Sequence, residues 1–138
     1  MDRADPVDRK GLMAVPTKPQ RAGDQSLPYD GQVDVGPEVV ADVLRYEGFR
    51  DKRIIQQVAD DFRARIQLGI ERYGHPLQTH NGRDAVRDAL DEALDLAHYL
   101  KQLEIETHDP KVSIMYACAI GIVFDLEEWI AAQEPAPA

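Results

Sequence analysis

Between Asp51 and Ala132 the apolar residues recur three and four positions apart, and Pro76 and Pro110 divide the stretch into long segments. That period belongs to α-helices burying one face, whereas a half-buried strand would alternate every second residue. The first long segment opens on Asp51 as an N-cap and runs to Tyr73, with Gly74 and Pro76 as stop signals. Its stripe is Ile55, Val58, Phe62, Ile66, Ile70 and Tyr73; Gly69 on the same face would let another helix approach closely, at a cost in helix propensity. The second spans Asn81-Gly82 to about Thr107, with Val86, Leu90, Ala93, Ala97, Leu100 and Glu104 on one face, flanked by Ala89, Leu94, Leu96 and Leu103. The third is announced by Asp109-Pro110, an N-cap followed by an N1 proline, and runs to about Ala132. It is apolar almost all round through Ile114–Val123, which implies burial on several sides inside a bundle or an oligomer.

A short leading helix is expected from Pro37 through Val39, Val40, Val43 and Leu44, ending near Gly48. No strand pattern competes and no internal repeat is visible, so the expected fold class is all-α, a helical bundle. Residues 1–36 are rich in Pro, Gly and Asp with scattered apolar residues, and are expected to form a flexible arm. The helical domain then covers 37–132, and 133–138, with Glu134-Pro-Ala-Pro-Ala, is a disordered tail.

Composition limits the function classes. At 138 residues, 43% hydrophobic and 30% charged, the chain suits one globular domain. The net charge of −9 argues against binding a nucleic-acid backbone, which rewards clustered Lys and Arg. It leaves room for a small anionic substrate, because bound metal inverts the local electrostatics of an acidic site. The longest apolar run, Ile114–Leu126, is interrupted by Tyr116 and Gly121 and is no membrane span, and the N-terminus lacks the apolar stretch of a secretory signal. The lone Cys118, in an apolar helical run, reads as a buried small hydrophobe in a reducing, cytoplasmic setting.

The chemistry concentrates on the second long helix. Asp84, Asp88, Asp91, Glu92 and Asp95 lie within about 50–60° of one direction at roughly 100° per residue, pointing away from the apolar arc. Tyr99 and Gln102 continue that side. A run of acids on one helix side is usually a solvated face. Here the like-charge pairs Asp84/Asp88, Asp88/Glu92 and Asp91/Asp95 each weaken the helix by a few tenths of a kcal/mol, and no basic residue alternates with them. The helix dipole favours acids in the first turn only, which leaves Glu92 and Asp95 without that compensation. Mg²⁺ or Mn²⁺ would supply it, since hard cations take one or two protein carboxylates and complete their shell with substrate phosphates. Arg83, Arg87 and Lys101 flank the stripe, where they suit either phosphate binding or snorkelling over the core edge.

A second carboxylate source is expected from the preceding helix. Asp60, Asp61 and Glu71 are the candidates: Asp61 sits at the edge of its apolar stripe beside Arg65 and Arg72, and Glu71 would serve better across a subunit interface. His75 and His80, in the connection that follows, form no i,i+4 pair, so zinc is not expected. His80 is either solvent-exposed or near substrate. The loop from Tyr73 to Arg83 has neither the glycine spacing nor the terminal Lys-Ser/Thr of a P-loop.

Arg72-Tyr73-Gly74, Leu77-Gln78, His80-Asn81-Gly82-Arg83-Asp84, Asp88, Glu92-Ala93-Leu94-Asp95 and Tyr99-Leu100 together resemble phage MazG-like nucleotide pyrophosphohydrolases. Within that family the likeness is to the MazZ branch, the dATP/dGTP diphosphohydrolases of phages that replace adenine with 2-aminoadenine. It covers roughly residues 55–106; Glu92-x-x-Asp95 by itself is a common helical spacing, and the combined string from Tyr73 to Leu100 is the more specific signal.

The resemblance implies an all-α NTP pyrophosphatase fold, oligomeric as a dimer or tetramer, working in the cytoplasm of the infected host cell. It implies Mg²⁺ or Mn²⁺, two or more ions, held by carboxylates on adjacent helices, and water attack at the α-phosphorus to give a nucleoside monophosphate and pyrophosphate. Glu92 and Asp95 match the family's second acidic pair, and Asp88 is a further catalytic and metal-binding candidate. The family's earlier Glu-x-x-Glu pair is missing. Asp61 or Glu71 would substitute for it, or Asp91-Glu92 and Asp95 form the first group and Asp125 or Glu128 the second. Asn81, Arg83, Tyr99, Lys101 and Arg65 are the substrate-binding candidates, and a tyrosine such as Tyr99, Tyr73 or Tyr46 suits stacking on a base. The branch implies dGTP and dATP as substrates. Two other readings stand beside it: the same fold acting on dUTP or dCTP, and a non-catalytic helical interaction module whose acidic face docks a basic partner.

Overall fold

A computed structural model of the chain describes residues 27–136. Among them are four helices, α1 (Val35–Leu44), α2 (Lys52–Tyr73), α3 (Ala85–Thr107) and α4 (Pro110–Gln133), and no strand. Among the described residues the strand-like contacts are the isolated bridges Asp34–Gln78 and Glu47–Arg50. The all-α class is thus as expected. The chain forms two compact units, divided between Arg83 and Asp84, one built on α1 and α2 and the other on α3 and α4.

In the first unit, α2 begins where Asp51 accepts hydrogen bonds from the Arg53 and Ile54 backbone N–H groups at 2.8 and 3.4 Å. It ends at Gly74, whose φ of 82° is the left-handed cap that glycine adopts without strain and whose N–H bonds the Ile70 carbonyl. α1 packs on α2, with Val40, Ile55 and Ala59 buried. The close approach is at Gly36, where an added Cβ would stand 2.6 Å from Ile66 Cγ1. Gly69, the residue expected to permit such an approach, has nothing near its Cβ position. The chain leaving α2 then pairs with the segment preceding α1: Val35 N–H donates to Leu77 O and Thr79 N–H to Val33 O, both at 2.9 Å. Gln32 Nε2 adds a bond to Thr79 O at 2.7 Å. Residues 29–35, within the segment expected to be an arm, therefore line the first unit. Residues 1–26 and 137–138 lie outside the described residues.

The second unit is a helical hairpin. Asp84 caps α3 by accepting from the Val86 and Arg87 N–H groups. His108, at φ 53°, returns its N–H to Glu104 O, and Asp109 caps α4 ahead of Pro110. A two-residue connection leaves α3 and α4 antiparallel. Their buried and half-buried positions recur every four and three residues: Val86, Leu90, Ala93, Ala97, Leu100 and Glu104 on α3, and Val112, Tyr116, Ala119, Val123, Leu126 and Ile130 on α4. This is a heptad seam. The Lys101 Nζ, 4.7 Å from the centroid of the Tyr116 ring, sets its register, so that Ala97 meets α4 near Ala119. Small residues at mid-seam allow the helix axes to come close.

The seam covers only one face of each helix. Among the described residues no large side chain is fully buried, and Cys118, expected in the core, is exposed on the outer surface of α4. No helix of the described residues is long and apolar enough to cross a membrane.

Candidate functional site

The face of α3 turned away from α4 carries the acidic stripe. With the seam centred on Ala93 and Ala97, rotation of about 100° per residue puts Asp95 diametrically opposite, with Asp88, Asp91 and Glu92 to either side. Asp84 serves as the helix cap, and Asp88 is half-buried in the first turn. Asp91, Glu92 and Asp95 are exposed, and among the described residues their side chains make no hydrogen bond or ion pair.

The acids of α2 are answered locally, whereas Glu38 on α1 and Asp125, Glu127 and Glu128 on α4 make, like the stripe, no side-chain hydrogen bond or ion pair among the described residues. On α2, Asp60 accepts from Gln56 and Arg63, Asp61 from Gln57 at 2.9 Å and Glu71 from Gln67 at 3.2 Å. On α3 beyond the stripe, Lys101 pairs with Glu104 at 3.2 Å and Gln102 donates to Glu106. Gln or Lys stands three or four residues before each of Asp60, Asp61, Glu71, Glu104 and Glu106; before Asp91, Glu92 and Asp95 the one basic or amide residue so placed is Arg87, four before Asp91, and it makes no side-chain bond to it.

The remaining candidates divide between the units. Asp61, Glu71, Arg65, Asn81 and Arg83 belong to the α1–α2 unit, and Asp88, Glu92, Asp95, Tyr99 and Lys101 to the hairpin. Only the second set is brought onto one element. Asn81 is buried and its Oδ1 accepts from the Arg83 N–H at 3.0 Å, an Asx turn that shapes the chain just before α3. Arg65 and Tyr99 are exposed. Lys101 is already engaged with the Tyr116 ring and Glu104, an arrangement the sequence reading missed because Tyr116 comes from the next helix. Lys101 and Tyr116 border a cavity of about 190 Å³ with Leu94, His98 and Ile120, on the flank of the hairpin away from Glu92. His80 is exposed at φ 54°, and its carbonyl accepts from Tyr29 and Gln32. Asp125 and Glu128 are both exposed on α4, and by register Asp125 falls level with Glu92 on the same flank.

The donor chemistry of the α3 face, oxygen only, fits Mg²⁺ or Mn²⁺. Among the described residues no three His, Cys, Asp or Glu side chains converge as a metal group. Glu92 and Asp95, one turn apart, offer two carboxylates, the number Mg²⁺ accepts when phosphate oxygens and water fill the other positions. No family model, curated protein or solved structure matches the chain.

Proposed function

We propose that the chain is a metal-dependent nucleoside triphosphate pyrophosphohydrolase whose site is built on the outer face of α3, with dGTP and dATP as its preferred substrates. The observation that carries this reading is the run Asp91, Glu92 and Asp95, exposed and unanswered while the acids of α2 are paired. A solvated face gains nothing from such repulsion. A face that receives a metal–phosphate complex does. The likeness of residues 72–100 to phage MazG-like enzymes supplies the reaction and the purine preference.

In this account Glu92 and Asp95 would hold Mg²⁺ or Mn²⁺, with Asp88 as a further ligand. When bound there, the metal would supply charge neutralisation at the phosphates and a more acidic water. Water oxygen bonds to the α-phosphorus as the bond from that phosphorus to the bridging oxygen of pyrophosphate breaks. Pyrophosphate leaves with the electron pair, and the proton of the attacking water passes to a carboxylate of the stripe or to solvent. Asp91, exposed beside the pair, would take it. Tyr99, exposed on the same helix, is the stacking candidate for the base.

The test is a panel of the dNTPs with Mg²⁺ or Mn²⁺, with nucleotide products separated by chromatography. Monophosphate and pyrophosphate from dGTP and dATP are expected. Turnover confined to dUTP or dCTP would keep the reaction and overturn the substrate, and no turnover of any nucleotide would overturn the enzyme reading.

A further inference from the structure

Asn81 is the chain's only asparagine, and Gly82 follows it. The pair carries a chemistry of its own. Once hydroxide has taken its proton, the Gly82 backbone nitrogen can attack the side-chain carbonyl carbon of Asn81, and a glycine has no side chain to hinder the approach. The new N–C bond closes a five-membered imide as the C–Nδ2 bond breaks, and ammonia leaves with that electron pair and a proton from water. A second water then opens the imide on either side, giving an aspartyl or an isoaspartyl linkage. The fold opposes this reaction. Asn81 is 9% exposed, the one buried polar residue among the described residues, and burial keeps hydroxide from the site. Its Oδ1 accepts the Arg83 N–H at 3.0 Å, and closing the imide pulls the carbon bearing that oxygen onto the Gly82 nitrogen, against the Asx turn.

The loop ahead of Asn81 is held by the segment that precedes α1. The Tyr29 hydroxyl and Gln32 Nε2 each donate to His80 O at 3.2 Å, and Gln32 Nε2 also donates to Thr79 O at 2.7 Å. Thr79 N–H bonds Val33 O, and Gln78 Nε2 donates to Asp34 Oδ1 at 2.7 Å. Tyr29 and Val33 are themselves exposed, so the segment rests on these bonds rather than on buried apolar area. Elements held in that way open locally at little cost compared with unfolding the whole chain. We propose that residues 29–34 are a clasp over a self-modifying Asn81-Gly82 site: the asparagine persists while the clasp is closed, and opening exposes it to deamidation. The products do not fit the closed loop. An aspartyl group carries charge into a buried position, and an isoaspartyl linkage adds a carbon to the main chain just before the Asp84 cap of α3. Conversion is therefore one-way and marks a chain whose clasp has opened, whether or not Asn81 touches a substrate.

The test holds the full chain at mildly alkaline pH for days, in buffer and in guanidinium chloride. The tryptic peptide ending at Arg83 is followed by mass spectrometry for the amide-to-acid mass gain and by chromatography for the isoaspartyl form. Reaction through the open fraction alone predicts conversion about tenfold or more slower in buffer than in guanidinium. Tyr29→Phe and Gln32→Ala, which remove bonds to His80 O, should each speed conversion several-fold in buffer and leave the rate in guanidinium unchanged. Tyr29→Phe deletes a single hydroxyl, and the wild-type comparison stands even if Gln32→Ala fails to fold. Equal wild-type rates in the two solvents, or no conversion in guanidinium, would overturn the inference. So would folded clasp variants that convert no faster than the wild type.

Discussion

On α2 the exposed carboxylates are answered by a side chain one turn away, as Asp61 is by Gln57 and Glu71 by Gln67. Asp91, Glu92 and Asp95 depart from that rule, and the departure makes a prediction of opposite sign for stability and activity. In metal-free protein, Glu92→Gln and Asp95→Asn should leave thermal stability unchanged or raise it by a few tenths of a kcal/mol, because each removes an i,i+4 repulsion. Asp109→Ala should instead lower it by about 1 kcal/mol, since its side chain accepts the Lys111 N–H at the start of α4. Urea titration of the three variants separates the two cases, and a loss of similar size in all three would contradict the description of the stripe as unanswered. At this scale the caps were legible in advance. Asp51, Gly74, Asp109 and Pro110 act through the nearest few backbone groups, and local chemistry depends on local sequence. The roles of Asn81 and Lys101 were not legible as binding residues. Asn81 turns out to close an Asx turn, and Lys101 is held by a ring from another helix.

For the elements, the seam of α3 was readable residue by residue, because Val86, Leu90, Ala93, Ala97, Leu100 and Glu104 share one direction and no other face of that helix is as apolar. α4 resisted the same reading. Apolar all round through its middle, it has no unique stripe to point inward, so periodicity did not tell that Ala119 is buried while Cys118 beside it is exposed. The close approach of α1 and α2 is at Gly36, in the first turn of α1, where a side chain of the other helix abuts it; Gly69, on the apolar face of α2, has nothing near its Cβ position. Mid-seam alanines make the hairpin intolerant of volume. Ala119→Leu should destabilise it by about 1–3 kcal/mol, read as a lower urea midpoint. An unchanged midpoint would mean that the α3–α4 seam is looser than the burial of Ala119 indicates.

For the whole molecule, the earlier-helix candidates Asp61 and Glu71 belong to one unit and the α3 carboxylates to the other, and helical periodicity carries no information on how separate units combine. This is why the partner carboxylate could not be assigned from spacing, and why the fold class was more legible than the complete site. If α3 receives a metal–nucleotide complex, binding must stabilise the folded chain by mass action. With Mn²⁺ and a non-hydrolysable nucleotide at about 100 times the dissociation constant, the gain is ~2.7 kcal/mol, enough to raise the melting temperature by several degrees. Mn²⁺ without nucleotide should give a smaller shift, because two carboxylates leave most of the coordination shell to water. A melting curve indifferent to both together would leave the acidic face without a ligand.

The central claim is that the carboxylates of α3, rather than those of α2, carry the chemistry. The rate of pyrophosphate release from dGTP in saturating Mg²⁺, compared between the wild type, Glu92→Gln, Asp95→Asn and Asp60→Asn, tests it most directly. Asp60 is an exposed carboxylate of α2 already bonded to Gln56 and Arg63, and so serves as the control. The account predicts a loss of about 100-fold or more in each of the two α3 variants, the scale on which losing a metal-orienting group costs activity, and a near wild-type rate for Asp60→Asn. Undiminished release by both Glu92→Gln and Asp95→Asn would contradict it.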